Sequence, residues 1–153
     1  MKFGNEKISF NINETPLKVW YDTNKRLEEF YKRQNINLTD SPEDLRIKNT
    51  MRHITGLATL AKYNSPNVTR SFGYVKEVGD IAKDSIKHPF SGVSKNVVND
   101  TNIDFYNNDL GIDYTLQNPN ASFDDIMNFA YQEAQKEKNY PKSYLLKYLG
   151  LED

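Results

Sequence analysis

Cysteine is absent from the 153 residues, which removes disulfides, thiolate metal sites and thiol nucleophiles from consideration. Long apolar runs are missing too. No segment could span a bilayer, and Met1 to Glu14 lacks the hydrophobic stretch of a signal peptide. Neither charge sign dominates: the formal net charge is -1 and the pI is near 6.1. Arg26, Lys32 and Arg33 interleave with Glu28 and Glu29, as on a solvated helix face. A chain that tracks a phosphate backbone carries a basic excess or stripe, so nucleic acid is not an expected partner. Apolar residues make up 37% of the sequence and the mean hydropathy is -0.78, which predicts a polar surface. Against that, 10 Tyr and 8 Phe supply large side chains for a core. The length suits one domain.

Periodicity points to an all-α fold: one domain of five or six helices, residues 15–153, preceded by a short extended arm, residues 1–14. In the arm, Ile8, Phe10 and Ile12 alternate with polar residues, the period of a strand. Thr15-Pro16 opens a first helix that ends near Asn35, with Leu17, Trp20, Leu27 and Tyr31 on its apolar side. Ser41-Pro42-Glu43-Asp44 opens a second, running to about Tyr63 before Asn64-Ser65-Pro66. Val68, Phe72, Val75, Gly79, Ala82 and Ile86 form one stripe of a third helix, ended by His88-Pro89. Lys87 to Asn99 has no clear period and reads as a loop. A fourth helix covers Thr101 to Leu116, with Ile103, Tyr106, Leu110 and Tyr114 as its apolar stripe. Ser122 and Asp125 form a capping box for a fifth, Phe123 to about Glu137. Pro141 and Ser143 precede a last short helix that ends at Gly150.

Polar residues recur at helical spacing inside three of these segments. Asn49, Arg52, His53 and Gly56 lie in the second helix, Gly73, Lys76, Glu77 and Asp80 in the third, and Asp104, Asn107, Asn108 and Gly111 in the fourth. Glycine within a helix destabilises it by roughly 1 kcal/mol relative to alanine. Three of them, each near polar groups, therefore predict close helix contacts that bring His53, Glu77 and Asp104 within reach of one another. Three uses follow. A hydrogen-bonded network can fix how the helices cross, with Arg52 or Lys76 neutralising Glu77 or Asp80 and the amides of Asn49, Asn107 and Asn108 satisfying what remains. Alternatively, His53 beside a carboxylate is suited to general acid–base catalysis of hydrolysis, with Glu77 and Asp104 as partners. One histidine with acidic oxygens would also suit magnesium, calcium or manganese better than zinc. No His-Glu-x-x-His motif or acidic calcium loop accompanies it, so no metal and no cofactor is expected. Trp20 and Tyr21 read as core, and Tyr140, Tyr144 and Tyr148 as the docking face of the last helix.

The series Asn49-Thr50-Met51-Arg52-His53, then Gly73-Tyr74-Val75-Lys76-Glu77-Val78-Gly79-Asp80, then Asp104 to Gly111 resembles a poorly characterised helical family. That family occurs in small bacteriophage proteins, often encoded among virion genes, and in bacterial lipoprotein-like proteins. Its members carry Arg-His, then Gly-x-x-His/Lys-Glu, then Asp-x-x-x-Asn-x-x-Gly. The resemblance covers about residues 44–114. Where many members have His-Glu, this chain has Lys76-Glu77, which favours a structural ion pair over a two-histidine mechanism. The resemblance implies a phage-type virion-associated structural or assembly protein, located in the virion or host cytoplasm. Its expected partners are other virion proteins, engaged through residues 1–14, and self-association is compatible with the sequence. The alternative is a cell-envelope-directed hydrolase with His53 and Glu77 as acid–base pair, oriented by Asp104 or Asp80. A host-directed phage inhibitor is a third reading.

Overall fold

Helix boundaries follow local chemistry. A computed structural model describes residues 16–87 and 95–136; of these, the side chains at positions 16, 17, 77, 78, 80–87 and 95–99 fall outside the description. The described chain is all-α: α1 (Pro16–Arg33), α2 (Pro42–Tyr63), α3 (Pro66–Lys87), α4 (Lys95–Gln117) and α5 (Phe123–Gln135), with no strand among the described residues. The expected arm at 1–14 and the last helix near 141–150 lie outside them.

At the end of α1, Asn35 takes the left-handed conformation at φ 54, and Ile36 N–H reaches back to the Tyr31 carbonyl at 2.8 Å. This is the Schellman closure, in which asparagine tolerates a backbone most side chains avoid. Ser41 caps α2 by accepting from Asp44 N–H at 3.2 Å, with Pro42 following where its missing donor is harmless. Ser122 and Asp125 complete a reciprocal capping box on α5. Helix α4 begins at Lys95, inside the stretch expected to be a loop. From Thr101 onward the helix carries a register in which Thr101, Asp104, Asn108, Gly111 and Thr115 step by three and four residues, a helical period written in polar and small side chains. An apolar count does not register it.

Helix α2 is central. It packs against all four other helices, and from Thr50 to Leu60 every residue but Arg52 is buried. On one side, Leu27, Phe30 and Tyr31 of α1 meet Met51 and Ile54 of α2 and Met127, Ala130 and Ala134 of α5. Fully burying each such large side chain contributes roughly 1.5–3 kcal/mol. A smaller cluster joins Val19, Leu57, Leu60 and Ile112.

The other side, toward α3 and α4, is different in kind. Thr69 and Gly73 of α3 are buried, whereas Val75, expected on the inward stripe, is 67% exposed. In α4 the expected stripe of Ile103, Tyr106, Leu110 and Tyr114 is half-buried, and the fully buried positions include Thr101, Asn102, Phe105, Asn107, Asn108, Ile112 and Thr115. Both helices turn a polar, small-residue line inward. Close approach explains it: a Cβ at Gly111 would overlap the Ile54 carbonyl oxygen and lie 3.0 Å from Ala58 N, so the α2 and α4 backbones touch there. Thr115 then donates to the Ala58 carbonyl at 3.1 Å. No helix among the described residues is long and apolar enough to cross a membrane.

Candidate functional site

The contact of α2 with α4 sets His53 against two residues one turn apart. Its Nε2 lies 3.1 Å from Asp104 Oδ1, and its Nδ1 lies 2.9 Å from Asn108 Oδ1. Nε2–H donates to the Asp104 carboxylate, and Nδ1 meets the Asn108 amide, which can accept from a charged ring or, turned over, donate to a neutral one. His53 is 1% exposed, and the Asp104 side chain 14%.

From this pair the network runs outward along α2. Asn49 Nδ2 donates to Asp104 Oδ1 at 2.9 Å, and Arg52 Nη2 donates to Asn49 Oδ1 at 2.6 Å. Asp104 therefore accepts from both a ring and an amide, which holds the carboxylate in one rotamer. From α3, Gly73 allows close approach: a Cβ there would sit 3.1 Å from Asn108 Nδ2. From α1, the Trp20 ring covers His53 edge-on, with centroids 5.4 Å apart at 76°. Gly56 makes room for that indole, since its Cβ would lie 3.1 Å from Trp20 Cζ3. Arg52 Cζ stands 5.6 Å, and Lys76 Nζ 5.5 Å, from the same ring centroid, within cation–π range.

His53, Asp104, Asn108, Asn49 and Arg52 are thus brought together, with Lys76 beside them across Trp20. The side chains of Glu77 and Asp80 lie outside the described residues. Arg52 donates to the Asn49 amide oxygen one turn earlier, and its expected neutralisation of Glu77 or Asp80 concerns side chains outside the described residues. One expectation is corrected. Asn107, expected to satisfy the network, is 0% exposed and hydrogen-bonds nothing described through either amide atom, since it stands one residue away from the line of Asp104, Asn108 and Gly111. Trp20, read as core, is half-buried over the site, and its neighbour Tyr21 is 72% exposed. Nothing in the spacing of α1 distinguishes Trp20 from a core aromatic; the matching signal is Gly56 on α2, a glycine facing a large ring.

Chemically, a histidine fixed by a carboxylate on one nitrogen has the geometry of an oriented base. Its burial withholds it from a bulky substrate. Among the described residues no group of three His, Asp or Glu side chains is arranged to hold a metal ion. The surface grooves beside the α1–α2 elbow, around Asn35 and Tyr131, and beside the α4–α5 turn, around Asn118, share no residue with the cluster. Burial pushes the Tyr31 phenol well above its ordinary value, with Glu28 adding to the shift.

No protein-family model matches this chain, and no curated protein or solved structure is significantly similar to it.

Proposed function

We propose that this chain is a phage-type virion-associated structural or assembly protein, in which the His53 cluster fixes the packing of α2 against α4. One observation carries the architectural half of this reading. His53 is 1% exposed with both ring nitrogens engaged, so its hydrogen-bonding capacity is spent inside the protein. The assembly half is supported by the apolar side chains that α1, α3 and α4 hold outward: Tyr21, Val75 and Leu116 are 72%, 67% and 51% exposed. Its link to virions rests on the motif resemblance from Asn49 to Gly111. Mass spectrometry of purified particles tests it: the chain should be present in fixed ratio to the other virion proteins, and its absence would end this reading.

A second reading is favoured by the 3.1 Å approach of Asp104 to His53 Nε2, the contact that orients a catalytic imidazole. It makes the protein a cell-envelope hydrolase. His53→Ala separates the two. An architectural cluster predicts a loss of about 3 kcal/mol, from stranding Asp104 and Asn108 in the interior. Catalysis predicts a stable fold with hydrolysis of envelope material abolished.

A further inference from the structure

We infer that the groove between the α1–α2 elbow and α5 is a binding site for a small neutral saccharide. The groove holds about 420 Å³ and shares no residue with the His53 cluster, so the inference stands apart from either reading of that cluster. Its walls come from two distant stretches of chain. Gln34, Asn35 and Asn37 belong to the elbow, whereas Asn128 and Tyr131 lie one turn apart on α5. Two contacts hold these walls in place. Arg33, next to Gln34, grips Asp124, one turn before Asn128, through hydrogen bonds of 2.9 and 2.7 Å. The Ile36 N–H bond to the Tyr31 carbonyl fixes the elbow itself. A site assembled before its ligand arrives loses less entropy on binding.

The lining selects the ligand. Charged residues make up 27% of the sequence, yet none lines this groove, so an ion finds no counter-charge there. Carboxamides take their place. Each offers two donors and an acceptor, which matches a sugar hydroxyl, itself both donor and acceptor. Asn64 and Asn118 turn their amides onto carbonyls of the helices they follow. The side chains of Gln34, Asn35, Asn37 and Asn128 are exposed and bond no other described residue. Beside them Ile36, Leu38 and Tyr131 are half-buried, packed on the core with part of their surface still open. That apolar strip suits the C–H face of a pyranose ring, and the volume suits roughly one or two rings. A wholly apolar ligand would strip water from the amides and give nothing back.

Nitrogen–proton correlation NMR of the full chain tests this, because the four carboxamides give their own signals. Glucose, galactose and N-acetylglucosamine would be titrated, with glycerol and triglycine as controls. At least one sugar should shift those signals saturably, with a dissociation constant on the order of 1–10 mM. Asn37→Ala and Asn128→Ala both change exposed side chains, and at least one should weaken binding about fivefold, the worth of one neutral hydrogen bond. The inference fails if no sugar moves the signals, if glycerol or triglycine moves them equally, or if both variants bind like the parent.

Discussion

The two flanks of α2 are held by different physics. Toward α1 and α5, Met51 and Ile54 meet Leu27, Phe30, Met127, Ala130 and Ala134 in an apolar layer whose stability comes from surface withdrawn from water. Toward α3 and α4, glycine, threonine and asparagine let backbones touch, and hydrogen bonds replace interdigitated hydrocarbon. An apolar layer tolerates exchanges of similar volume. A polar layer is unforgiving, because each donor or acceptor that loses its partner retains the full cost of desolvation. The lesson is that one helix can be fastened loosely in composition on one flank and strictly on the other.

That contrast can be broken most severely at Gly111. Alanine there pushes a methyl into the Ile54 carbonyl, which belongs to the buried α2 backbone and cannot step aside. Gly111→Ala should lower stability by about 3 kcal/mol or more, read from urea unfolding, despite the higher helix propensity of alanine. A loss below about 1 kcal/mol would mean that the α2–α4 contact yields. Gly79 is the counter-case on α3. A Cβ there meets no described atom within 4 Å, so Gly79→Ala should stabilise by up to about 1 kcal/mol in the same assay. A destabilising result would place an unrecognised close contact at that position.

The smallest effect sharpens the comparison through pH. The Asp44 carboxyl is held below its ordinary range by the Thr39 hydroxyl and backbone N–H, and that of Asp125 by the Ser122 hydroxyl and backbone N–H. Asp124 is held down by Arg33, which ties α1 to α5. For a depressed carboxyl, the stabilising contribution is present above the unfolded value, near about 4, and is lost as pH falls through the lower folded value. Acid should therefore fray the first turns of α2 and α5. Hydrogen exchange compared at pH 6 and pH 3 should show it there, and Asp44→Asn with Asp125→Asn should flatten the difference.

Helix starts were legible because their chemistry is local: Ser41-Pro42 and Ser122 with Asp125 carry their own hydrogen-bond partners within one turn. The convergence of His53 with Asp104 and Asn108 was legible through glycine placement, since Gly73 and Gly111 have no use in a solvated helix. Which faces of α3 and α4 turn inward was not. Hydrophobic periodicity assumes that apolar side chains go in, and here Thr69 and Asn107 are buried while Val75 is exposed. The part of Trp20 was also hidden, because a ring packed across helices leaves no mark on its own stretch of sequence.

Burial of Thr50 to Leu60 on every side has a consequence for the order of events during synthesis. Helix α2 leaves the ribosome before three of its walls, α3, α4 and α5, the last of which finishes only at Gln135. Until those walls appear, Met51, Ile54, Leu57 and Leu60 have only α1 to cover them. Native docking therefore waits until α5 has been made, and products that stall before it are natural clients for chaperones.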